Sequence, residues 1–540
     1  MLTLLKTIPF KIYKLIVNYK SVSAIKGHQL LQKNNPDFIN QVRNRIANKQ
    51  LIIKRTSIEN IIFPNEIDIS LSTHQYLLKY YMGRMFTRCL LSCVYSKKKL
   101  IYPMPLAWSK IVDNSGIKVS FFWNTILFYI SILVFWFFGF FYIFKCIFLN
   151  IKRLNFNQGY SYFFDLTKEC FPSKDGTDSY DIISWYTKKF NKNKKQLIIH
   201  SEPNTIVDRS FNDSWIFYSQ DHLPKINYFT IYFKLLPKLI FSFSLLTLIN
   251  IILLRWWNIL FLKEIVSMNL FKHSERRNIA DSYLFHYSHQ IYRPLWTYVA
   301  AARGSDLIFY FYAASISTYR EENGEYSTVP EFIQLMNWPK YLVWNEHHSD
   351  YLKNLMKYPA DLIVVGPIWF QESIFKLPNI AKPSIVAFDN SPYREFFAHT
   401  FGNAQQYTYH HKVPINFLKD LQEITSELGI AFYFKRKNNQ GQNSAMLNKK
   451  YLNFLRKFVK KDNVTEINSG VSPMRLCKEF DLVFSFPFTS TAIIAVSLGK
   501  TSVYYDPIGV IQQYDRASHS LAVISRRDEL KEFLKNHYKI

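Results

Sequence analysis

From Lys382 to Asp506 short apolar runs alternate with stretches of helical period. Ser384 to Phe388, Ile430 to Phe434 and Val464 to Ile467 have strand length, and so does Asp481 to Phe486. Between them, Asn416 to Leu428, Leu447 to Val459 and Ser472 to Phe480 repeat apolar residues at helical spacing. Gly429 closes the first helix; Ser472 and Pro473 open the third. Strands alternating with helices predict a parallel, doubly wound α/β half-domain, which takes ligands at the carboxyl ends of its strands. Weaker signals, namely a helix over Asp181 to Phe190 and strands at Gln196 to His200, Leu307 to Tyr312, Tyr341 to Trp344 and Leu362 to Val365, predict a first half-domain of the same kind. Val365-Gly366-Pro367 and Leu377 to Pro383 read as the crossing between halves.

The last βα turn is the richest in chemistry. After Asp481 to Phe486 come Ser485, Thr489, Ser490 and Thr491, then a helix over Ala492 to Leu498 closed by Gly499, then a strand to Asp506. Hydroxyls where a helix begins serve as N-caps, and they serve equally well as a phosphate cradle beside the unpaired N–H groups and the positive end of the helix dipole. Asp389, Lys435, Arg436, Lys437, Ser485, Thr489 and Asp506 all fall at strand ends. Packing needs alone do not collect polar residues there.

Ser485-Phe-Pro-Phe-Thr-Ser-Thr491, with Gly499-Lys500 and Asp506-Pro507 behind it, resembles the Pro-Phe-Thr-Ser motif family of bacterial surface-polysaccharide biosynthesis. More broadly, roughly Tyr292 to Ser525 is similar to GT-B glycosyltransferases. That resemblance implies two Rossmann-like halves facing a cleft and a nucleotide-activated sugar held by the C-terminal half, with no cofactor or metal. Several such enzymes with CMP- or CDP-linked donors carry His-Pro after the second strand of this half. Here the place reads Lys435-Arg436-Lys437-Asn438. On this reading the donor site comprises Arg394, Lys435, Arg436, Lys437, Ser485, Pro487, Thr489, Ser490, Thr491 and Asp506.

Inverting sugar transfer needs a base beside the acceptor hydroxyl. Glu346, Glu202 and Asp389 are the candidates, each just past a strand. Glu346 ranks first. Asp350 and Glu372 read as solvated loop groups, and adjacent His347 and His348 point opposite ways on an extended chain, a poor arrangement for a metal.

Two segments call for a membrane. Phe121 to Phe144 is almost wholly apolar and long enough to cross the hydrocarbon core; Leu239 to Leu254 is shorter, with Lys238, Trp256, Trp257 and Lys263 as interfacial anchors. If both crossed, Lys145 to Lys238 would lie on the far side, yet that stretch holds part of the first half-domain. A pair entering and leaving on one side, or lying as a monotopic hairpin, resolves the conflict. Met1 to Tyr19 reads as a basic amphipathic helix rather than a signal peptide.

Composition sharpens this picture only slightly. Lys and Arg number 67 against 40 acidic residues, a net charge of +27, which points to an anionic partner. Abundant Lys, Asn, Ile, Phe and Tyr with scarce Gly suggest codon bias as part of the cause. Five scattered cysteines build no disulfide framework or zinc site. The expected division is a helical basic region over 1–118, a membrane-associated helix over 119–150, an acceptor half over 151–375 with an insert at 236–263, a donor half over 376–525, and a charged tail helix able to cross back over the first half. Expected partners are the nucleotide-sugar, a glycan or lipid-linked acceptor and an anionic membrane, but no nucleic acid. The expected place is the cytoplasmic face of a bacterial inner membrane. A polyol-phosphate transferase or nucleotide-sugar epimerase on the same scaffold is the neighbouring reading, and a non-catalytic basic membrane protein the third.

Overall fold

The computed structural model describes residues 21–153, 159–166, 170–171, 181–190, 197–202, 209–211, 214–219, 221–287, 290–314, 331–368, 377–394, 396, 410–437, 446–513 and 516–540. The amphipathic reading of Met1 to Tyr19 and the loop reading of Glu372 lie outside the described residues, as does Asn438.

Two sheets organise the chain. The first contains β1 (Tyr160–Phe164), β2 (Leu197–His200), β3 (Arg209–Phe211), β4 (Ser214–Tyr218), β5 (Ser282–Tyr287), β6 (Asp306–Phe311), β7 (Lys340–Val343) and β8 (Asp361–Val364). Its order is β3-β4-β2-β1-β5-β6-β7-β8, parallel throughout except for β3 against β4. The second sheet is wholly parallel: β9 (Ser384–Phe388), β10 (Ala431–Lys435), β11 (Val464–Ile467), β12 (Leu482–Ser485), β13 (Thr501–Asp506) and β14 (Val523–Ser525), ordered β11-β10-β9-β12-β13-β14. Counted from its own first strand that is 3-2-1-4-5-6, the doubly wound dinucleotide-fold order. Chain order reverses between β9 and β12, so the carboxyl ends of those two strands frame the crevice. In the first sheet the reversal falls between β1 and β5.

The second sheet is covered on both faces, which is why β9, β10 and β12 are buried along almost their whole length, while the edge strand β11 exposes Glu466. Phe417 and Leu421 of helix Lys412–Glu427, Tyr451 and Leu455 of helix Lys449–Phe458, and Leu530 and Leu534 of helix Arg526–Tyr538 fill one side. Met474 and Cys477 of helix Pro473–Glu479 and Ile493 and Ile494 of helix Ser490–Ser497 fill the other. The tail helix therefore stays on its own lobe and does not cross back. Arg527 pairs with Glu423 and Glu427, and Tyr538 donates to the Ser384 carbonyl at 2.8 Å. The second face continues into the first lobe: one apolar cluster joins Tyr310, Trp344 and Ile368 to Val386, Met474 and Ile493.

Six helices precede the first sheet between Ser21 and Asn114. Two of them, α1 (Ile69–Tyr81) and α2 (Arg84–Ser96), bind the helical region to both lobes. Gln75 of α1 donates to the Leu335 carbonyl at 2.6 Å, and Tyr76 packs edge-on against Tyr292.

The first apolar segment is helix α3 (Phe121–Lys152), 32 residues and so about 48 Å long. Both ends are fastened to the body. Asn124 accepts the Tyr102 N–H at 2.9 Å, while Asn150 exchanges two 2.9 Å bonds with the Ile226 backbone and Arg153 meets Asp221 at 2.7 Å. Midway, Gly139 lies so close to helix α4 (Leu262–His273) that a Cβ there would come within 2.9 Å of the Lys263 nitrogen. The opposite face of α3 is bare: Phe122, Ile130, Phe137, Phe141, Phe144, Phe148 and Ile151 are exposed. The second segment runs helically from Thr230 to Ile249, with π-helical turns, and exposes Phe233, Phe241, Leu245 and Ile249; Ile252 and Leu254 in the turn that follows are exposed as well. Both stretches are long and apolar enough to cross a membrane. β1, β2 and β4 lie between them in the chain, yet β1 pairs with β5, which follows both. A bilayer cannot pass through that ladder.

Candidate functional site

The polar strand ends of the second sheet meet in register. Phe388 pairs with Lys435 on one side and Ser485 on the other, and Ser485 pairs with Tyr504. Paired residues of a parallel ladder point to the same face, so Lys435 and Ser485 both face the Pro473–Glu479 and Ser490–Ser497 helices, two strand spacings or about 10 Å apart. One residue further, Asp389 leaves β9 at the crevice itself.

Downstream of β12 the chain turns sharply. Phe488 has φ +61°, left-handed for a non-glycine residue, and the helix α5 (Ser490–Ser497) starts two residues later. Its hydroxyls bond one another rather than the helix end. Ser485 Oγ and Thr491 Oγ1 are 2.8 Å apart, Thr489 Oγ1 donates to the Phe486 carbonyl at 2.8 Å and lies 3.2 Å from Thr491 Oγ1, and Tyr504 donates to the Thr489 carbonyl at 3.2 Å. Thr489 occupies the N-cap position without a side-chain cap. The N–H groups of Ser490 and Thr491 meet no acceptor among the described residues. Those amides and the helix dipole are what a phosphate would use. Ser490 does something else: its Oγ accepts the Ala314 N–H of the first lobe at 3.2 Å, so the turn stands at the seam between lobes.

The cationic candidates separate into distinct roles. Arg436 is held in an ion pair with Glu466 at the edge of the sheet, with Nη2 to Oε2 at 2.7 Å. Lys435 is buried, and desolvation lowers its ammonium to a pKa of about 8. Lys437 gives its backbone N–H to Asp389 Oδ1 at 3.1 Å and is itself exposed. Arg394 is half-buried, its N–H on the Met446 carbonyl at 2.8 Å and its Nε on the Leu447 carbonyl at 3.4 Å.

Among the carboxylates, Asp506 is fully buried and accepts three backbone amides, from Ile508, Val510 and Ile511, at 2.7–3.0 Å. It ties down the loop after β13. Asp389 is 3% exposed, and burial raises its carboxyl to about 7 despite the Lys437 amide. Its Oδ2 meets no hydrogen-bond partner among the described residues. Glu346 is exposed at the start of helix α6 (Glu346–Leu355), just past β7. Glu202 follows β2, its N–H on His200 Nδ1 at 3.3 Å. β2 and β7 are four strand spacings apart, about 19 Å, so Glu202 and Glu346 do not serve one acceptor hydroxyl together.

A second interlobe contact was not evident from the sequence. His519 of the second lobe meets Asn345 Oδ1 at 2.9 Å, and Ser520 meets His347 Nε2 at 2.8 Å. Asn345 also caps α6 by accepting the His348 N–H at 2.9 Å. His348 is fully buried against Phe311 and His519; burial pushes its pKa to about 3 and that of His519 to about 4. The adjacent His347 and His348 do diverge, as their spacing predicts, one to the seam and one to the core.

A family model described as "Polysaccharide biosynthesis PFTS motif protein" matches residues 244–534, more than half of the chain. The chain belongs to that family. The match takes in β5 to β14 and the whole hydroxyl turn, and leaves β1 to β4, α1, α2 and α3 outside. No curated protein matches the sequence. Solved structures with a similar chain course include a trehalose-6-phosphate structure from E. coli bound with UDP-2-fluoro glucose, at 10% identity and TM-score 0.37 over 71% of this chain and 92% of that one. A wall teichoic acid polymerase, TagF, has 11% identity and TM-score 0.36 over 71% and 80%; sucrose-phosphate synthase from Thermosynechococcus elongatus has 10% and 0.35 over 71% and 90%.

Proposed function

We propose that this protein is a glycosyltransferase of bacterial surface-polysaccharide assembly, working at a membrane surface with a nucleotide-activated sugar. One observation carries this reading above the others: a turn whose two helix-start amides meet no acceptor among the described residues lies at the switch point of a doubly wound sheet and touches the opposite lobe through Ser490 and Ala314. Membership of a polysaccharide-biosynthesis family supports it. The donor's phosphates sit against the Ser490 and Thr491 amides, with Thr489 and Thr491 supplying hydroxyls and Lys435 and Arg394 the nearby positive charge. Asp506 and Asp389 act as positioning residues, one through the loop after β13 and the other through the Lys437 amide. Preorganised amides and cations of this kind stabilise a departing phosphate without proton transfer to it.

Glu346 is the base in this account, because it is exposed at a strand end and its neighbour His347 stands at the lobe seam. α3 and the 230–254 stretch lie in the plane of one leaflet with their bare aromatic faces in lipid, which keeps every strand on one side. The cytoplasmic face of the inner membrane is where nucleotide-sugars and such a surface meet. A thermal-shift panel of UDP, GDP, CMP, CDP and dTDP and their sugar conjugates tests the donor class. A selective nucleotide at a hundred times its Kd stabilises the fold by about 2.7 kcal/mol. A flat response to every nucleotide contradicts the reading.

A further inference from the structure

The turn over 518–521, between β13 and β14, has a costly backbone for its sequence. Leu521 donates its N–H to the Ser518 carbonyl at 3.0 Å, and the two residues inside that bond, His519 and Ser520, have φ +53° and +65°. Positive φ at both central positions is what hairpin turns fill with Asn-Gly or Gly-Gly, because a Cβ crowds the following carbonyl there. Neither His519 nor Ser520 escapes that crowding. A pair in this conformation persists only where its surroundings hold it, and such outliers gather at functional sites.

Both side chains face the first lobe, and they surround one residue of it. His519 Nδ1 donates to Asn345 Oδ1 at 2.9 Å, and its ring stands 6.2 Å from that of His347 and 6.3 Å from that of His348. Ser520 Oγ is 2.8 Å from His347 Nε2. Asn345 and His347 flank Glu346, and Asn345 Oδ1 also caps α6 by accepting the His348 N–H at 2.9 Å. The first turn of α6 is therefore fixed from the opposite lobe on either side of Glu346. Behind the turn, the contacts lead to the hydroxyl cradle. Tyr504 donates its N–H to the Ala522 carbonyl at 3.0 Å and its hydroxyl to the Thr489 carbonyl at 3.2 Å.

We propose that His519 and Ser520 are positioning residues: this strained turn latches the donor lobe to the start of α6 and sets Glu346 to take the acceptor's proton. The inference rests on the transferase reading with Glu346 as base, and it makes the base's geometry depend on the lobe that holds the donor. A glycine turn would fold here with less crowding and would bring no side chain to the seam. Small errors in the placement of a catalytic group lower the rate steeply, which gives the strain a use.

The test uses the full chain with Ser520→Ala, which keeps the crowded backbone, and Ser520→Gly, which relieves it. Ser520 is exposed, so neither change touches the core. Turnover is read as nucleotide release from whichever UDP-, GDP-, CMP-, CDP- or dTDP-sugar gives the largest thermal shift, with water as acceptor. The water oxygen bonds the anomeric carbon, its proton passes to Glu346, and the nucleotide leaves with the bonding pair. Both variants should exchange the amides over 345–349 about fivefold faster and lose about tenfold in kcat at unchanged KM. Ser520→Gly should nevertheless unfold at a higher temperature than Ser520→Ala. In a Glu346→Gln background the Ser520 changes should lower kcat no further. Unchanged exchange over 345–349 overturns the inference and leaves the transferase reading standing. An equal loss of kcat with and without Glu346 does the same. Absence of both a nucleotide shift and nucleotide release from every conjugate removes the transferase reading, and the positioning role with it.

Discussion

Ser490 Oγ accepts the backbone N–H of Ala314 across the seam between the lobes, at 3.2 Å. The serine of the motif is thus an interlobe acceptor, while the Ser490 and Thr491 amides meet no acceptor among the described residues. Ser490→Ala leaves the buried Ala314 N–H without its acceptor, a loss of about 1–3 kcal/mol. Calorimetry should show a lower unfolding temperature for Ser490→Ala and near-wild-type behaviour for Ser490→Thr, which keeps the oxygen. Thr489→Val, by contrast, removes a hydroxyl from the cradle and should weaken nucleotide binding about tenfold with little change in unfolding temperature.

Asp389 carries a carboxyl raised to about 7 by burial. A folded-state pKa above the unfolded value means that the folded form holds a proton the unfolded chain has lost. Its contribution is complete below about pH 4 and disappears as pH rises through about 7. Asp389→Asn keeps an oxygen for the Lys437 amide and never ionises, so relative to the wild type it should gain stability between pH 5 and 8. Denaturation curves across that range give the comparison; parallel pH profiles for the two proteins would contradict the assignment.

His348 and His519 behave in the opposite sense. Both are held neutral, with pKa near 3 and 4, against an ordinary value near 6.5. Their contribution is complete above 6.5 and is lost as pH falls toward 4. Each neutral histidine adds a slope approaching about 1.4 kcal/mol per pH unit within that window. His519→Gln should flatten the acid limb by one such histidine and weaken the Asn345 contact. Equal acid sensitivity in variant and wild type would exclude the buried pair as its source.

The outer face of α3 gives a direct membrane test. Phe137, Phe141 and Phe148 are 53%, 65% and 64% exposed and belong to no buried core cluster, so replacing them by Glu leaves the core residues in place. The triple variant should fold and bind nucleotide as the wild type does, yet remain in solution when vesicles float. Retention on vesicles would move the membrane contact elsewhere.

The second lobe was largely legible because both faces of its sheet are covered. Apolar runs such as Ser384 to Phe388 and Asp481 to Phe486 coincide with observed strands, the edge strand Val464 to Ile467 matches although it carries Thr465 and Glu466, and Ser472 with Pro473 marks a helix start. In the first lobe β1 and β5 escaped notice: Tyr160–Phe164 and Ser282–Tyr287 carry polar or aromatic residues inward, where Ser161, Ser282 and Tyr186 bond one another. The site was legible only as strand-end polarity. Residues whose roles depend on distant partners gave no local signal. His519 and Asn345 are 174 positions apart, and Arg88 meets Phe396 from a helix whose sequence reads as ordinary basic surface.

In the proposed transferase an activated sugar's phosphates rest on the amides that open the Ser490–Ser497 helix. Photo-crosslinking with an azido-nucleotide, followed by mapping of the labelled peptide, locates that contact. Label should fall within 485–500 or beside Lys435, suppressed by excess nucleotide and diminished in Thr489→Val. Saturable labelling confined to any other part of the chain would contradict it.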